Sequence, residues 1–176
     1  MRKVLVISYF FPPSGSTGGI RALKFVKYLR EFGWEPVVLT SRSCFDFEVS
    51  KDDQLLSEIP PGVKVLRTAS FEPLNNFWRK RYRASRKANN EGGVRHISKN
   101  TDRNKGAVIK KFFVSLLDFP DRYFGWFLFA VVHGIHEIWK ERIAVVFVTN
   151  PPASALFVGF WVALLTGRPL VVDYRD

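Results

Sequence analysis

The stretch Lys3-Val-Leu-Val-Ile-Ser-Tyr-Phe-Phe-Pro-Pro-Ser-Gly-Ser-Thr-Gly-Gly-Ile-Arg-Ala-Leu-Lys-Phe25 decides the fold. Lys3 to Ser8 is a short apolar run of strand character. From Gly19 to Phe32 the residues Ile20, Leu23, Phe25, Val26 and Leu29 follow an amphipathic helix pattern, and Gly33 stands where a helix stop belongs. Between strand and helix lie two prolines, three glycines and three Ser/Thr hydroxyls. A tight connection needs only a few residues. A longer one at the carboxyl end of a strand points to a loop that meets something.

Working outward, the alternation continues. Glu35–Thr40 reads as a second strand, Asp52–Ile59 as a short polar helix or turn, and Val63–Arg67 as a third strand. Ala107–Leu117 has the apolar spacing of a helix that Pro120 breaks, and a long helix spans Tyr123–Arg142. Ile143–Val148 is wholly apolar, as a strand covered on both faces would be. The loop Thr149–Pro152, an apolar helix Ala153–Leu165, the stop Gly167 and a last strand Pro169–Asp173 complete the order. Alternating strands and helices predict one α/β domain, with a mostly parallel sheet, helices on both faces and right-handed crossovers. Such sheets bind ligands in the crevice beyond the carboxyl ends of their strands.

The 176 residues carry a formal net charge of +11, unevenly spread. Between Trp78 and Lys111 there are 12 Lys/Arg against Glu91 and Asp102, whereas the rest of the chain is nearly balanced. The segment 75–106 has little to bury and reads as a mobile basic insertion. Its Trp78, Arg79, Lys80, Arg81 and Arg83 are candidates for an anionic membrane surface, with nucleic acid the less favoured partner because no nucleic-acid fold motif accompanies them. The bland alternative is a solvated charge run. A lone cysteine, Cys44, excludes an internal disulfide framework and fits a reducing compartment. The apolar stretches Tyr123–Ile135 and Ala153–Leu165 are shorter than the ~20 residues of a membrane span and read as buried helices. The expected location is therefore cytoplasmic, with a peripheral site at the inner face of the membrane as a further option.

In a parallel sheet three polar loops share the carboxyl edge: Tyr9–Gly19, Thr149–Pro152 and Tyr174-Arg175-Asp176. Gly18 and Gly19 permit close backbone approach at a helix start whose N–H groups and partial positive charge suit a phosphate or sugar hydroxyl, and Arg21 adds a cation one turn on. The loop matches neither the P-loop nor the dinucleotide fingerprint, and a plain turn explains its glycines equally well. Asn150-Pro151 is a turn starter. Asp173 either pairs with Asp176 as a carboxylate site, caps a following element or binds Arg175. His133 and His136 lack the acidic or thiol companions of a metal motif, so no metal is expected.

Taken together, Lys3-Val-Leu-Val-Ile-Ser-Tyr-Phe-Phe-Pro-Pro13, Gly18-Gly-Ile-Arg-Ala-Leu-Lys-Phe25, Phe119-Pro-Asp-Arg-Tyr-Phe-Gly-Trp126, Thr149-Asn-Pro-Pro152 and Thr166-Gly-Arg-Pro-Leu-Val-Val-Asp-Tyr-Arg-Asp176 resemble the N-terminal half of family 4-like glycosyltransferases of the GT-B fold. The ordered set covers nearly the whole chain except the basic insertion. The resemblance implies a Rossmann-like domain, half of a two-domain enzyme. It places Gly18, Gly19 and Arg21 near the diphosphate of a nucleotide-sugar co-substrate. Thr149, Asn150, Pro151, Tyr174, Arg175 and Asp176 would lie on the side of a saccharide or lipid-linked acceptor. It assigns no catalytic residue and no bound cofactor. The family's C-terminal domain, which grips the nucleotide sugar, lies beyond Asp176, so the 176 residues alone are expected to be inactive. Two other classes stay open: a non-enzymatic α/β module binding a phosphorylated small molecule, and an adaptor for anionic membrane or nucleic acid acting through the basic segment.

Overall fold

A computed structural model describes residues 1–43, 51–71, 121 and 123–174. Cys44, the basic insertion with Trp78, Arg79, Lys80, Arg81 and Arg83, the helix expected at 107–117, and Arg175 and Asp176 lie outside the described residues.

Strand β1 (Arg2–Ile7) leads through the Pro/Gly/Ser loop into helix α1 (Thr17–Leu29). Then come β2 (Trp34–Ser41), a 3₁₀ turn at Asp53–Leu56 and β3 (Lys64–Thr68). After the 3₁₀ turn Phe124–Trp126 follow α2 (Phe127–Glu141), β4 (Val145–Thr149), α3 (Ala153–Thr166) and β5 (Leu170–Asp173). The five strands form one parallel sheet in the order β3-β2-β1-β4-β5. This is the expected α/β, Rossmann-like domain.

The sheet has two apolar layers because its central strands are apolar on both faces. Val4 and Val6 point to one side, where they meet Ala22, Leu23 and Val26 of α1. Leu5 and Ile7 point to the other and pack with Ala130 and Ile138 of α2 and with Val158 and Val162 of α3. Burial of a large aliphatic side chain contributes about 1.5–3 kcal/mol, so these two layers dominate the stability. Trp126 is fully buried and donates its indole N–H to Thr68 Oγ1 at 2.7 Å, fastening the entry of α2 to the end of β3. The α3 helix lies close to the sheet because it has no side chain at Gly159. A Cβ there would sit 3.0 Å from Cβ and Cγ1 of Val148, which is itself fully buried.

One expectation needs correction. Tyr123–Ile135 and Ala153–Leu165 read as buried helices, yet α2 and α3 bury only their inner sides: Leu128, Phe129 and Val132 are exposed on α2. Phe157, Phe160, Trp161, Leu164 and Leu165 are exposed. Apolar composition all round a helix signals burial on all sides, and a two-layer cover supplies only one of them.

At the amino edge of the sheet the acids of α2 turn inward. Lys64 Nζ lies 2.6 Å from the buried Glu137 and 2.9 Å from Glu141, and Lys3 Nζ reaches Glu141 at 2.5 Å. Hydrogen bonds from Lys3 and Lys64 pull the Glu141 carboxyl down to about 2, below the ordinary 4.5. Hydrogen bonds to Glu137 and Glu141 raise Lys64.

A depressed carboxylate stabilises the fold above its unfolded pKa, and that contribution is lost as pH falls through the folded value. Glu141→Gln is therefore expected to lower the melting temperature at pH 7. The difference from the wild type should shrink between pH 4.5 and about 2, as thermal melts across that range would show. Gly159→Leu overpacks the α3–sheet contact and is expected to cost about 1–3 kcal/mol. In a chain of this size that is a fall of roughly 2–4 °C in melting temperature per kcal/mol.

Candidate functional site

The loops after β1 and β4 leave neighbouring strands, and their helices go to opposite faces of the sheet. Such a topological switch point opens a crevice at the carboxyl edge. Most of the first loop does not face it. Tyr9 is buried in the layer of α2 and α3, and Phe11 in the layer of α1. Pro12, Pro13 and Ser14 are buried as well. Thr40 Oγ1 donates to Tyr9 O at 2.9 Å, Asp52 N–H donates to Pro13 O at 2.8 Å, and Arg67 donates to Pro12 O. The aromatic and proline residues that lengthen this loop thus serve as packing. Phe10 and the turn from Gly15 to Gly18 are left partly open.

Ser16 caps α1, its Oγ accepting from Gly19 N–H at 3.0 Å. The N–H groups of Thr17 and Gly18 have no partner among the described residues. The two glycines therefore differ. A Cβ on Gly19 would sit 3.0 Å from Ser14 O and 3.1 Å from Ser16 Oγ, tighter than ordinary contact, so packing favours glycine there. A Cβ on Gly18 would meet nothing nearer than Phe10 Cδ2 and Pro151 O, each at 3.9 Å. Gly18 consequently lies beside the second loop. The first turn of α1 contains no acid. Arg21 lies over the Phe25 ring and donates Nε and Nη2 to the two oxygens of Asp173, at 2.7 and 2.6 Å. This pairing raises the Arg21 pKa, chiefly through the hydrogen bond. It also ties α1 to the end of β5, and leaves Nη1 without a partner among the described residues.

On the other wall Thr149 is buried, and Asn150 N–H donates to Asp173 O at 3.0 Å. Pro152, the residue before α3, supplies no side-chain cap. Asp121 supplies one instead: its Oδ2 accepts from Ser154 N–H at 2.6 Å and its Oδ1 from Tyr123 N–H at 2.9 Å. The two helix starts at the crevice are therefore unlike. The α1 start is capped by a neutral hydroxyl and keeps open N–H groups; the α3 start already holds a carboxylate. Tyr9, Phe10 and Tyr123 form an aromatic cluster beside them, with ring centroids 4.4–5.4 Å apart. Tyr174 is exposed at the same edge.

The structure thus brings Gly18, Arg21, Asn150, Pro151 and Asp173 together. It separates Gly19 as a packing residue and leaves Arg175 and Asp176 undescribed. Asp121 and Ser16 are the site residues that sequence reasoning missed. Ser16 carries the signal of a hydroxyl three residues before Gly19. Asp121 acts across 33 residues and has no local signal. His133 and His136 are exposed on α2, and His133 Nδ1 lies 2.8 Å from Phe129 O. Among the described residues no group of three or more His, Cys, Asp or Glu is placed to hold a metal. A groove of about 700 Å³ runs along α1 between Phe25, Tyr28, Phe32 and Trp34, and it shares only Arg21 with the crevice residues.

No protein-family model matches the sequence, and no curated protein matches it. Among solved structures the fold is similar to the crystal structure of Acinetobacter baumannii MurG, with a TM-score of 0.49 and 14% sequence identity. The match covers 99% of this chain and 35% of that one, so the present sequence spans about a third of that protein's length.

Proposed function

We propose that the chain is the acceptor-side half of a family 4-like glycosyltransferase, passing a sugar from a nucleotide-sugar donor to a saccharide or lipid-linked acceptor in glycan synthesis. The observation that carries this reading is the pair of unequal helix starts at one crevice. An anion is stabilised by free N–H groups and the positive end of a helix dipole. The α1 start, with Thr17 and Gly18 N–H and a spare donor on Arg21, suits the donor diphosphate. At the α3 start the Asp121 carboxylate already occupies that role and disfavours a second anion. Neutral hydroxyls of an acceptor suit the wall of Asn150, Pro151 and Tyr174. The motif order along the sequence points the same way.

The division of labour follows from the chemistry. Transfer needs donor and acceptor held together in a closed cleft that excludes water. A crevice walled by one domain leaves the donor open to solvent. Catalysis is therefore assigned to a longer parent chain whose second α/β domain closes over the α1 start. This half positions the diphosphate as negative charge develops on the leaving group, and orients the acceptor hydroxyl. A second reading, a module that binds a phosphorylated small molecule without catalysis, rests on the same open α1 start.

The intact parent, assayed with a panel of nucleotide sugars and lipid-linked acceptors, tests the proposal. Gly18→Ala places a methyl group at ordinary van der Waals distance, 3.9 Å, from Phe10 Cδ2 and Pro151 O and is expected to keep the melting temperature. It should lower kcat/KM about tenfold or more, a loss of roughly 1.4 kcal/mol of transition-state binding. Gly19→Ala is expected to do the reverse at the structural level, lowering the melting temperature because Ser14 O stands 3.0 Å away. Transfer by the 176 residues alone, or a Gly18→Ala parent with unchanged kcat/KM, overturns the assignment. Saturable binding of a nucleoside diphosphate without transfer in any longer chain selects the binding module.

A further inference from the structure

Helix α1 buries Ala22, Leu23 and Val26 against the sheet, yet its outward side is not uniformly polar. Phe25, Tyr28 and Phe32 follow one another at the intervals that align side chains along one helix face. Tyr28 is half exposed and Phe32 is 77% exposed. Beside them runs the groove of about 700 Å³, which the half-buried Leu29 and Trp34 also line. One side of the helix therefore carries both projecting rings and a hollow large enough to receive a ring.

Charge along this side changes sign from one end to the other. Arg21, Lys24 and Lys27 lie in the first half, and Glu31 closes the second. Lys24 and Lys27 share a single acid, Glu58, at 2.8 and 4.0 Å, which leaves a cation over. Glu31 is exposed and has no hydrogen-bonding or ionic partner among the described residues. A surplus cation, aromatic rings and an unused carboxylate thus succeed one another along the groove. Such a surface complements itself when turned end for end.

We propose that this side of α1 seats a second copy of the chain, with the two α1 helices antiparallel about a two-fold axis near Tyr28. An isologous contact sets residue i against j and j against i. Phe32 of one protomer enters the hole between the partner's Arg21, Lys24, Phe25 and Tyr28, the four-residue diamond that receives a knob in packed helix pairs. The same register brings Tyr28 to the partner's Tyr28 and Glu31 to the partner's Lys24. A parallel pair sets Lys24 on Lys24 and Glu31 on Glu31, so charge selects the antiparallel arrangement. The 13 residues of α1 extend roughly 20 Å. That contact is smaller than a standard interface, and the dimer is weak, with a Kd on the order of tens of micromolar. In this register Thr17 and Gly18 lie beyond the end of the partner's helix. The crevice stays open, and the inference stands apart from the transfer reading.

Sedimentation velocity of the 176-residue chain across concentration tests it, with a monomer–dimer equilibrium expected. Phe32→Ser changes an exposed site; it should keep the melting temperature and weaken the dimer at least about tenfold. Glu31→Lys should weaken it about tenfold by setting like charges together, and adding Lys24→Glu should restore most of the loss. In a Cys44→Ser background, Tyr28→Cys should form a disulfide between copies under mild oxidation, whereas Lys24→Cys, away from the axis, should not. A chain that stays monomeric to about 500 μM, leaving the groove to a different protein or a small molecule, overturns the inference. A dimer that Phe32→Ser leaves intact overturns it too. So does one that Glu31→Lys weakens and Lys24→Glu fails to rescue, or one that cross-links equally at positions 24 and 28.

Discussion

Right-handed crossover is the constraint on which the rest of this structure depends. From β1 the chain steps to β2 on one side, and from β4 it steps to β5 on the other. Because both connections turn with the same hand, α1 must lie on one face of the sheet and α3 on the opposite face. The two loops part company directly above the junction of β1 and β4, and the crevice exists because they do. Apolar residues on both faces of the central strands make the arrangement stable: Val4 and Val6 need one helical layer, Leu5 and Ile7 the other.

Charge is managed differently at the two edges of the sheet. At the amino edge, carboxylates and ammonium groups satisfy one another in the Lys3–Glu141–Lys64–Glu137 chain, and Lys140 is left facing outward. At the carboxyl edge the Arg21–Asp173 pair leaves a donor over, and the capping Ser16 is neutral. An incoming anion thus has a receptive helix start on one wall and a closed one on the other. The same backbone feature, a helix N-terminus, acquires opposite character from whether its cap is a hydroxyl or a carboxylate.

The outer surface of α2 and α3 adds a second directional feature. A helix such as α3 needs cover on every side, and the sheet and α2 supply it only inward. The amino acids that fasten the domain together and those that leave it incomplete alternate along one helix: Val158 and Val162 are buried, while Phe160, Trp161 and Leu164 are not.

Periodicity and punctuation sufficed for the elements. The apolar run before Ser8, the spacing Leu23–Val26, and the stops Gly33 and Gly167 are local signals set by backbone sterics and the need to bury one helix face. A parallel sheet with a ligand edge follows from them. What remained hidden depends on contacts between residues distant in the chain. Asp121 reaches Ser154, Arg21 reaches Asp173, and Ser14 O closes on Gly19 only after the loop has folded back. Two glycines side by side read alike in the sequence, since both lack a Cβ. Tertiary packing alone decided that a side chain at Gly19 is crowded by Ser14 O and Ser16 Oγ, whereas one at Gly18 is not. The Pro/Gly/Ser loop likewise read as a generous opening, whereas folding turned Tyr9 and Phe11 into core, because each had an apolar layer within reach on its own side of the sheet.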